Sequence, residues 1–483
     1  MKQQRDHYDV IIVGAGLSGI SAAHHIKTRC PGKTFLILEA RESMGGTWDL
    51  FRYPGIRSDS DMYTLGYSFR PWTNPKAIAD GPAIRDYIKE TAREEQLEQY
   101  IKYQHRVSSA SWNSDDHQWT LICDLPTGSV EFSCGFLFTC SGYYRYDQGY
   151  MPDYPGVDDY EGQLIHPQHW PEDLDYSDQQ ITVIGSGATA VTLVPELAKQ
   201  AQHVTMLQRT PTYVVSAPER DILANLSRKI LPAKAAYRIA RWKNILMSMA
   251  FYKAARRWPK AIKKMIQNGV KKELGKDYDI QKHFNPPYNP WDQRLCLVPD
   301  NDLFESLKSG KSEIVTDHIE RFTSDGILLR SGKEIKSDII VSATGLQMQV
   351  LGGMELTIDG QTRKSEDSYC YRGMMFSDIP NLANAMGYTN ASWTLKCDLT
   401  AEHVCSLLNH MDRHNYVQVT PIYSDDPSVN EPLLDFSSGY VKRALAHLPK
   451  QGKEKPWRVH QNYIMDLIDM RYSKVADENL RFE

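Results

Sequence analysis

Gly14, Gly16 and Gly19 stand in the order G-x-G-x-x-G directly after the apolar run Asp9-Val10-Ile11-Ile12-Val13. At a strand-to-helix turn that spacing has a defined chemistry: the first glycine makes the tight turn, the second lets the backbone approach a pyrophosphate, and the third lets helix and strand pack closely. The phosphates then rest on the helix N-terminus. A second apolar run, Phe35 to Leu38, ends in Glu39, 20 residues beyond Gly19, where a carboxylate can bind ribose hydroxyls. A second copy of the turn, Gly185-Ser186-Gly187-Ala188-Thr189-Ala190, follows Ile181 to Ile184, with Ala190 in the third position. Its next strand, Val204 to Gln208, ends in Arg209-Thr210 instead of an acid. A cation and a hydroxyl suit a ribose 2′-phosphate, whereas a carboxylate would repel it. Two different nucleotides are therefore expected, FAD at the first turn and NADPH at the second, with a solvated surface arginine as the plainer reading of Arg209.

The elements that must hold these turns are buried parallel strands followed by helices, hence an α/β fold. Two further strands, Phe136 to Gly142 and Asp338 to Gly345, end in small-residue turns and mark where the chain crosses between two nucleotide-binding domains. A chain of 483 residues with 41% hydrophobic and 24% charged residues has room for two or three domains and a sizeable core. A net charge of -4 argues against a protein built to coat nucleic acid. The eight cysteines include no C-x-x-C pair, so no metal centre and no dithiol are expected, and a reducing cytoplasmic location is. No apolar run is long enough to span a bilayer.

The stretch Tyr160 to Pro171 resembles the fingerprint F-x-G-x-x-x-H-x-x-x-W-P of class B flavoprotein monooxygenases of the Baeyer–Villiger type. Tyr160, Gly162, His166, Trp170 and Pro171 occupy its fixed positions, with Tyr for the usual Phe. Gly45 to Asp59 is similar to a second motif of the family. The resemblance implies that Gly46, Thr47 and Trp48 cover the flavin and that Asp59 supports an active-site arginine. Arg294, in Pro290-Trp291-Asp292-Gln293-Arg294, stands where the family keeps its catalytic arginine. Gln293 replaces a lysine that many members set against the 2′-phosphate. Arg52 to Tyr63, His166 to Tyr176, Tyr288 to Arg294 and Gly387 to Lys396 closely resemble one member of the family.

The implied reaction has NADPH reduce FAD, oxygen add at the flavin C4a carbon as a peroxide, and one oxygen atom enter a ketone to give an ester or lactone. Thioethers and thioamides are expected substrates too. An N- or S-oxygenating flavin-containing monooxygenase that makes no esters is the alternative, and a non-catalytic FAD/NADPH redox sensor the remote one. Expected partners are a small apolar ketone or sulfur-containing substrate and O2, with no nucleic acid. The oligomeric state stays open.

The same resemblance suggests two Rossmann-like domains, the second inserted in the first. FAD-binding parts span 1–142 and 345–483, and NADP-binding parts 143–213 and 288–344. Residues 214–287 break the pattern as a helical insertion. Between Asp221 and Glu273 it carries 14 Lys or Arg and no acid, with aromatic residues interleaved. Such a run suits a solvated helical face, peripheral contact with an anionic membrane or, least of the three, nucleic acid.

Overall fold

The computed structural model describes residues 6–424, 431–434, 436 and 438–483. The first apolar run forms β1 (Asp6–Val13), whose last four side chains are all buried, as an unalternating β-branched run requires. It is followed by α1 (Leu17–Arg29), β2 (Phe35–Leu38), the short helices α2 (Thr47–Leu50) and α3 (Met62–Leu65), α4 (Gly81–Glu94) and β3 (Ile101–Lys102). Strands β4 (Arg106–Asn113), β5 (Gln118–Leu125) and β6 (Gly128–Thr139) form an antiparallel meander, and β6 runs back parallel to β1.

The chain then builds a second sheet. Its elements are β7 (Gln163–Ile165), β8 (Gln180–Ile184), α5 (Ala188–Leu197), β9 (His203–Gln208) and β10 (Val214–Ala217). The helices α6 (Ile222–Ile230), α7 (Ala233–Arg257), α8 (Pro259–Leu274) and α9 (Ile280–His283) follow. Next come β11 (Cys296–Pro299), α10 (Asp302–Lys308), β12 (Ser312–Thr316), the antiparallel set β13 (Ile319–Thr323), β14 (Gly326–Leu329) and β15 (Glu334–Lys336), and β16 (Ile339–Ser342). Strand order is β12-β9-β8-β16-β7, all parallel.

Afterwards the chain returns to the first sheet. Strands β17 (Glu355–Ile358) and β18 (Gln361–Arg363) extend it to the order β18-β17-β4-β5-β6-β1-β2-β3, and Leu382–Asn384 pairs parallel with β6. Helix α11 (Trp393–His414) packs on α1, α12 (Gly439–Ala444) follows, and α13 (Tyr463–Tyr472) packs on α11. The fold is thus two Rossmann-like α/β units, the second inserted in the first, with a helical insertion in the second. Side chains such as Ile12, Ile20, Ile37 and Phe138 are fully buried between sheet and helices, each worth roughly 1.5–3 kcal/mol of burial.

One of the fourteen cations of the insertion departs from the expected solvated face. Arg241 on α7 is buried. Its Nη1 donates to the carbonyls of Tyr63 (2.9 Å) and Gly66 (2.7 Å), and Nη2 lies 3.6 Å from Asp398. These contacts compensate the cost of burying a charge and pin the insertion to the first unit.

Candidate active site

Gly14 leaves β1 at φ +105°, and a Cβ there would lie 2.6 Å from the Cys140 carbonyl oxygen. On the first turn of α1, a Cβ at Gly19 would fall 1.8 Å from the Gly14 oxygen. Both positions therefore require glycine. Gly16 caps α1 without a side-chain bond, which leaves first-turn amides for a phosphate. At the end of β2, Glu39 is buried. Its Oε2 accepts from the Ala15 amide at 2.7 Å and its Oε1 from the Arg41 amide at 2.9 Å. Burial raises its proton affinity above the usual carboxylate range, against the pull of those two amides and of Arg41.

Gly14, Gly16 and Glu39 border a cavity of ≈ 440 Å³, a size typical of cofactor sites. Gly46, Thr47 and Trp48 from the start of α2 form another wall, and Asp59 and Arg294 a third. The Ser141 hydroxyl, buried on the rim, has no hydrogen-bond partner among the described residues. A glycine turn, an open helix N-terminus, a buried carboxylate and an orphaned hydroxyl fit the pyrophosphate and ribose of a dinucleotide.

Asp59 comes from the loop between α2 and α3, and Arg294 from the loop entering β11. The arginine Nη2 donates to Asp59 Oδ1 at 2.8 Å, while Nε lies 2.7 Å from Oδ2. The adjacent carboxylate outweighs burial and strengthens the guanidinium's hold on its proton, so it stays charged at every working pH.

The second turn lies between β8 and α5, away from this cavity. Gly185 turns at φ +140°, Ala190 is fully buried in the helix, and a Cβ at Gly187 would meet nothing within 4 Å, so the helix N-terminus is open to a ligand. Arg209 is exposed and makes no ion pair or hydrogen bond among the described residues, and the neighbouring Thr210 carbonyl accepts from Ser186 Oγ at 2.8 Å.

The fingerprint residues line neither turn. Tyr160 donates to the Ser337 carbonyl at 2.8 Å and meets Phe322 edge-on, and Gly162 leaves room for that ring. Trp170 is buried against Tyr176, and Pro171 is exposed. His166 joins the two crossings between the units. Its Nε2 donates to the Gly345 carbonyl at 3.2 Å and its Nδ1 accepts from the Gln168 amide at 3.2 Å. A Cβ at Gly149 would lie 1.9 Å from the imidazole Cε1. Burial lowers the ring's pKa below that of an ordinary histidine, opposed by the Gly345 carbonyl.

Several cavity residues escaped the sequence reading. Tyr144 donates to Thr47 Oγ1 at 2.6 Å, Trp393 Nε1 donates to Ser18 Oγ at 2.9 Å, and Tyr143 stacks on Trp393 at 4.9 Å. The aromatic run Tyr143-Tyr144-Arg145-Tyr146 after the Ser141-Gly142 turn was the available signal.

Residues 71–350 match the family described as Flavin-binding monooxygenase-like, and residues 12–90 match the NAD(P)-binding Rossmann-like domain. The chain is 54% identical over 478 residues to the FAD-containing monooxygenase EthA of Mycobacterium tuberculosis, covering 99% of this chain and 98% of that one. It is 46% identical to the probable FAD-binding monooxygenase AlmA of Acinetobacter baylyi, over 99% of this chain and 96% of that one. In fold it resembles an oxidized steroid monooxygenase bound to NADP (TM-score 0.79, 21% identity, 99% of each chain). It also resembles cyclohexanone monooxygenase from Rhodococcus sp. Phi1 bound to NADP+ (TM-score 0.77, 20% identity, 99% of this chain and all of that one). A family match across more than half of the chain, together with end-to-end identity to named monooxygenases, means that the chain belongs to the flavin-binding monooxygenase-like family, as a class B flavoprotein monooxygenase.

Proposed function

We propose that the chain is an oxygenase of the Baeyer–Villiger type, which converts small apolar ketones to esters or lactones and also oxidises thioethers and thioamides. FAD and NADPH are its cofactors. When bound, they supply the reduction and activation of O2, with one oxygen atom going to substrate and the other leaving as water. Gly14, Gly16, Glu39 and Gly46 to Trp48 hold the FAD, and Gly185, Gly187, Arg209 and Thr210 hold the NADP. The parts 1–142 and 345–483 serve the flavin and the inserted 143–344 the nicotinamide, with 214–287 as the helical insertion.

The observation that carries this reading is the Arg294–Asp59 fork in the cavity wall, made by one residue from each unit. Asp59 occupies Nη2 and Nε and so fixes the plane of the guanidinium. Nη1 keeps no partner among the described residues and is free to stabilise negative charge developing on the substrate carbonyl oxygen. Tyr143, Tyr144 and Trp393 form an aromatic wall that keeps water from the reacting atoms. The test is product analysis with one ketone and one thioether under NADPH and air. An ester from the ketone supports the reading; sulfoxide with no ester from any ketone makes the protein an S-oxygenase instead.

The cationic and apolar surface of α6 and α7 supports peripheral contact with an anionic membrane. No helix among the described residues is long and apolar enough to cross one.

A further inference from the structure

Beside the flavin-side cavity lies a hollow of ≈ 200 Å³ between α7, the loop before Arg294 and the segment preceding α13. Its walls include Tyr252, Arg256, Trp291, Asn390, Phe436 and His460. A smaller hollow of ≈ 70 Å³ shares Tyr252, Asn390 and His460 with it and adds the apolar Ile245 and Met249 of α7. That smaller hollow shares Ala391 with the 440 Å³ cavity, so the three lie in a row.

Two polar atoms in the outer hollow are buried without a hydrogen-bond partner among the described residues: the indole Nε1 of Trp291 and the imidazole Nε2 of His460. Buried polar atoms are nearly always paired, so two orphans lining one hollow call for a ligand. An indole N–H can only donate. Of the acceptors that line the hollow, Gln461 Oε1 already takes the Thr389 amide at 3.0 Å and the Thr389 hydroxyl at 3.3 Å, and the Gln461 carbonyl takes Asn390 Nδ2 at 2.9 Å. Trp291 is also held at φ +71°, an uncommon conformation for a bulky residue, and its ring meets Tyr252 edge-on at 5.5 Å. Arg256 and Arg458 at the rim are each already paired, with Asp292 and Glu431. Burial, with Lys455 and Arg458 nearby and Asp466 opposing them, holds His460 below its ordinary pKa.

We propose that this outer hollow anchors a second oxygen function of the substrate, an ester, amide or carboxylate oxygen remote from the carbon that is oxygenated, and that Trp291 selects for it by donating a hydrogen bond. The linker between the two oxygen functions would pass the apolar side chains of α7. This rests on the oxygenase reading above, and it narrows the substrate class to bifunctional ketones.

The test uses FAD-loaded protein and three substrates of equal chain length: a methyl ketone, the same ketone ending in a carboxylate, and the methyl ester of that acid. The wild type is expected to prefer one or both oxygen-bearing ketones over the plain one in kcat/KM. Trp291→Phe, which keeps the ring and loses the N–H, should cut that preference about tenfold, the weight of one hydrogen bond. Loss for acid and ester alike identifies a carbonyl oxygen as the anchor, and loss for the acid alone a carboxylate oxygen; either supports the proposal. An unchanged preference ratio in Trp291→Phe overturns it. Calorimetric binding of the ester lacking the ketone supplies a readout that needs no turnover. If that affinity falls in Trp291→Phe while no ketone is oxygenated by the wild type, the oxygenase reading has failed and the anchor has not. Should Trp291→Phe fail to fold or retain FAD, His460→Leu is expected to lose the same affinity, and full affinity there overturns the proposal.

Discussion

A guanidinium gripped by one carboxylate through Nη2 and Nε keeps both its charge and its plane, and both matter if, as proposed, Arg294 stabilises an oxyanion. Removing one such charge-stabilising donor typically costs about 100-fold to 1,000-fold in rate. Arg294→Ala is therefore expected to fold and retain FAD but to form ester from a ketone slower by that factor, with NADPH consumption ending in hydrogen peroxide; peroxide and ester assays on one sample check this. Asp59→Ala should show the same defect more mildly, because the charge remains and only its orientation is lost. At the second turn, Arg209, exposed and without a partner among the described residues, should matter to NADPH alone. Arg209→Ala should weaken NADPH relative to NADH by roughly 1.5–3 kcal/mol, the range for a hydrogen bond to a charged group, read as the ratio of kcat/KM for the two coenzymes. An equal loss for both coenzymes would defeat that role. Gly14, Gly19 and Glu39 were legible in the sequence because local spacing dictates their geometry. Tyr144 and Trp393 were not, because their partners Thr47 and Ser18 lie far away in the chain and only the fold brings them together.

Among the elements, the crossing segments are tied through one imidazole. His166 bonds Gly345 at one crossing, and its ring fills the space beside Gly149 at the other. His166→Ala is expected to leave FAD bound yet lower the ester formed per NADPH consumed, because domain positioning and not proton transfer is disturbed. Gly149→Ala would push a methyl into the imidazole and should copy that phenotype, with the double variant no worse than either single one. The ring also carries a pH dependence. Desolvation depresses its folded pKa, so its contribution is fully present above the unfolded value of about 6.5 and is lost as pH falls through the lower folded value. Protonation would turn Nδ1, now an acceptor for the Gln168 amide, into a second donor facing it. Coupling in the wild type should therefore fall on acidification below that range, and His166→Ala should lack this step. The fingerprint was legible as a motif, but the contact with Gly149 was not, since nothing in the local spacing marks that glycine.

For the molecule as a whole, the helical insertion is held from inside by Arg241 and leaves an apolar face outside. Ile222 and Ile230 are each 75% exposed, Leu223 66% and Met247 62%, in a segment that carries cations and no acids between Asp221 and Glu273. The sequence displayed the basic run plainly. It did not reveal that one cation turns inward, or that the apolar side of α6 has no partner among the described residues, because an amphipathic pattern does not say what covers its apolar face. Exposed apolar side chains ringed by cations suit a lipid surface bearing negative charge. Each cation near it adds about 1 kcal/mol, and each buried apolar side chain adds its transfer energy at roughly 25 cal/mol per Å². The FAD-loaded protein is therefore expected to sediment with vesicles containing anionic lipid, to ignore neutral vesicles, and to be released by high salt as counterions screen the attraction. Ile222→Asp combined with Ile230→Asp should abolish sedimentation while FAD content stays full, since neither side chain belongs to the core or the cavity. Binding indifferent to lipid charge would instead assign the apolar face to another protein surface.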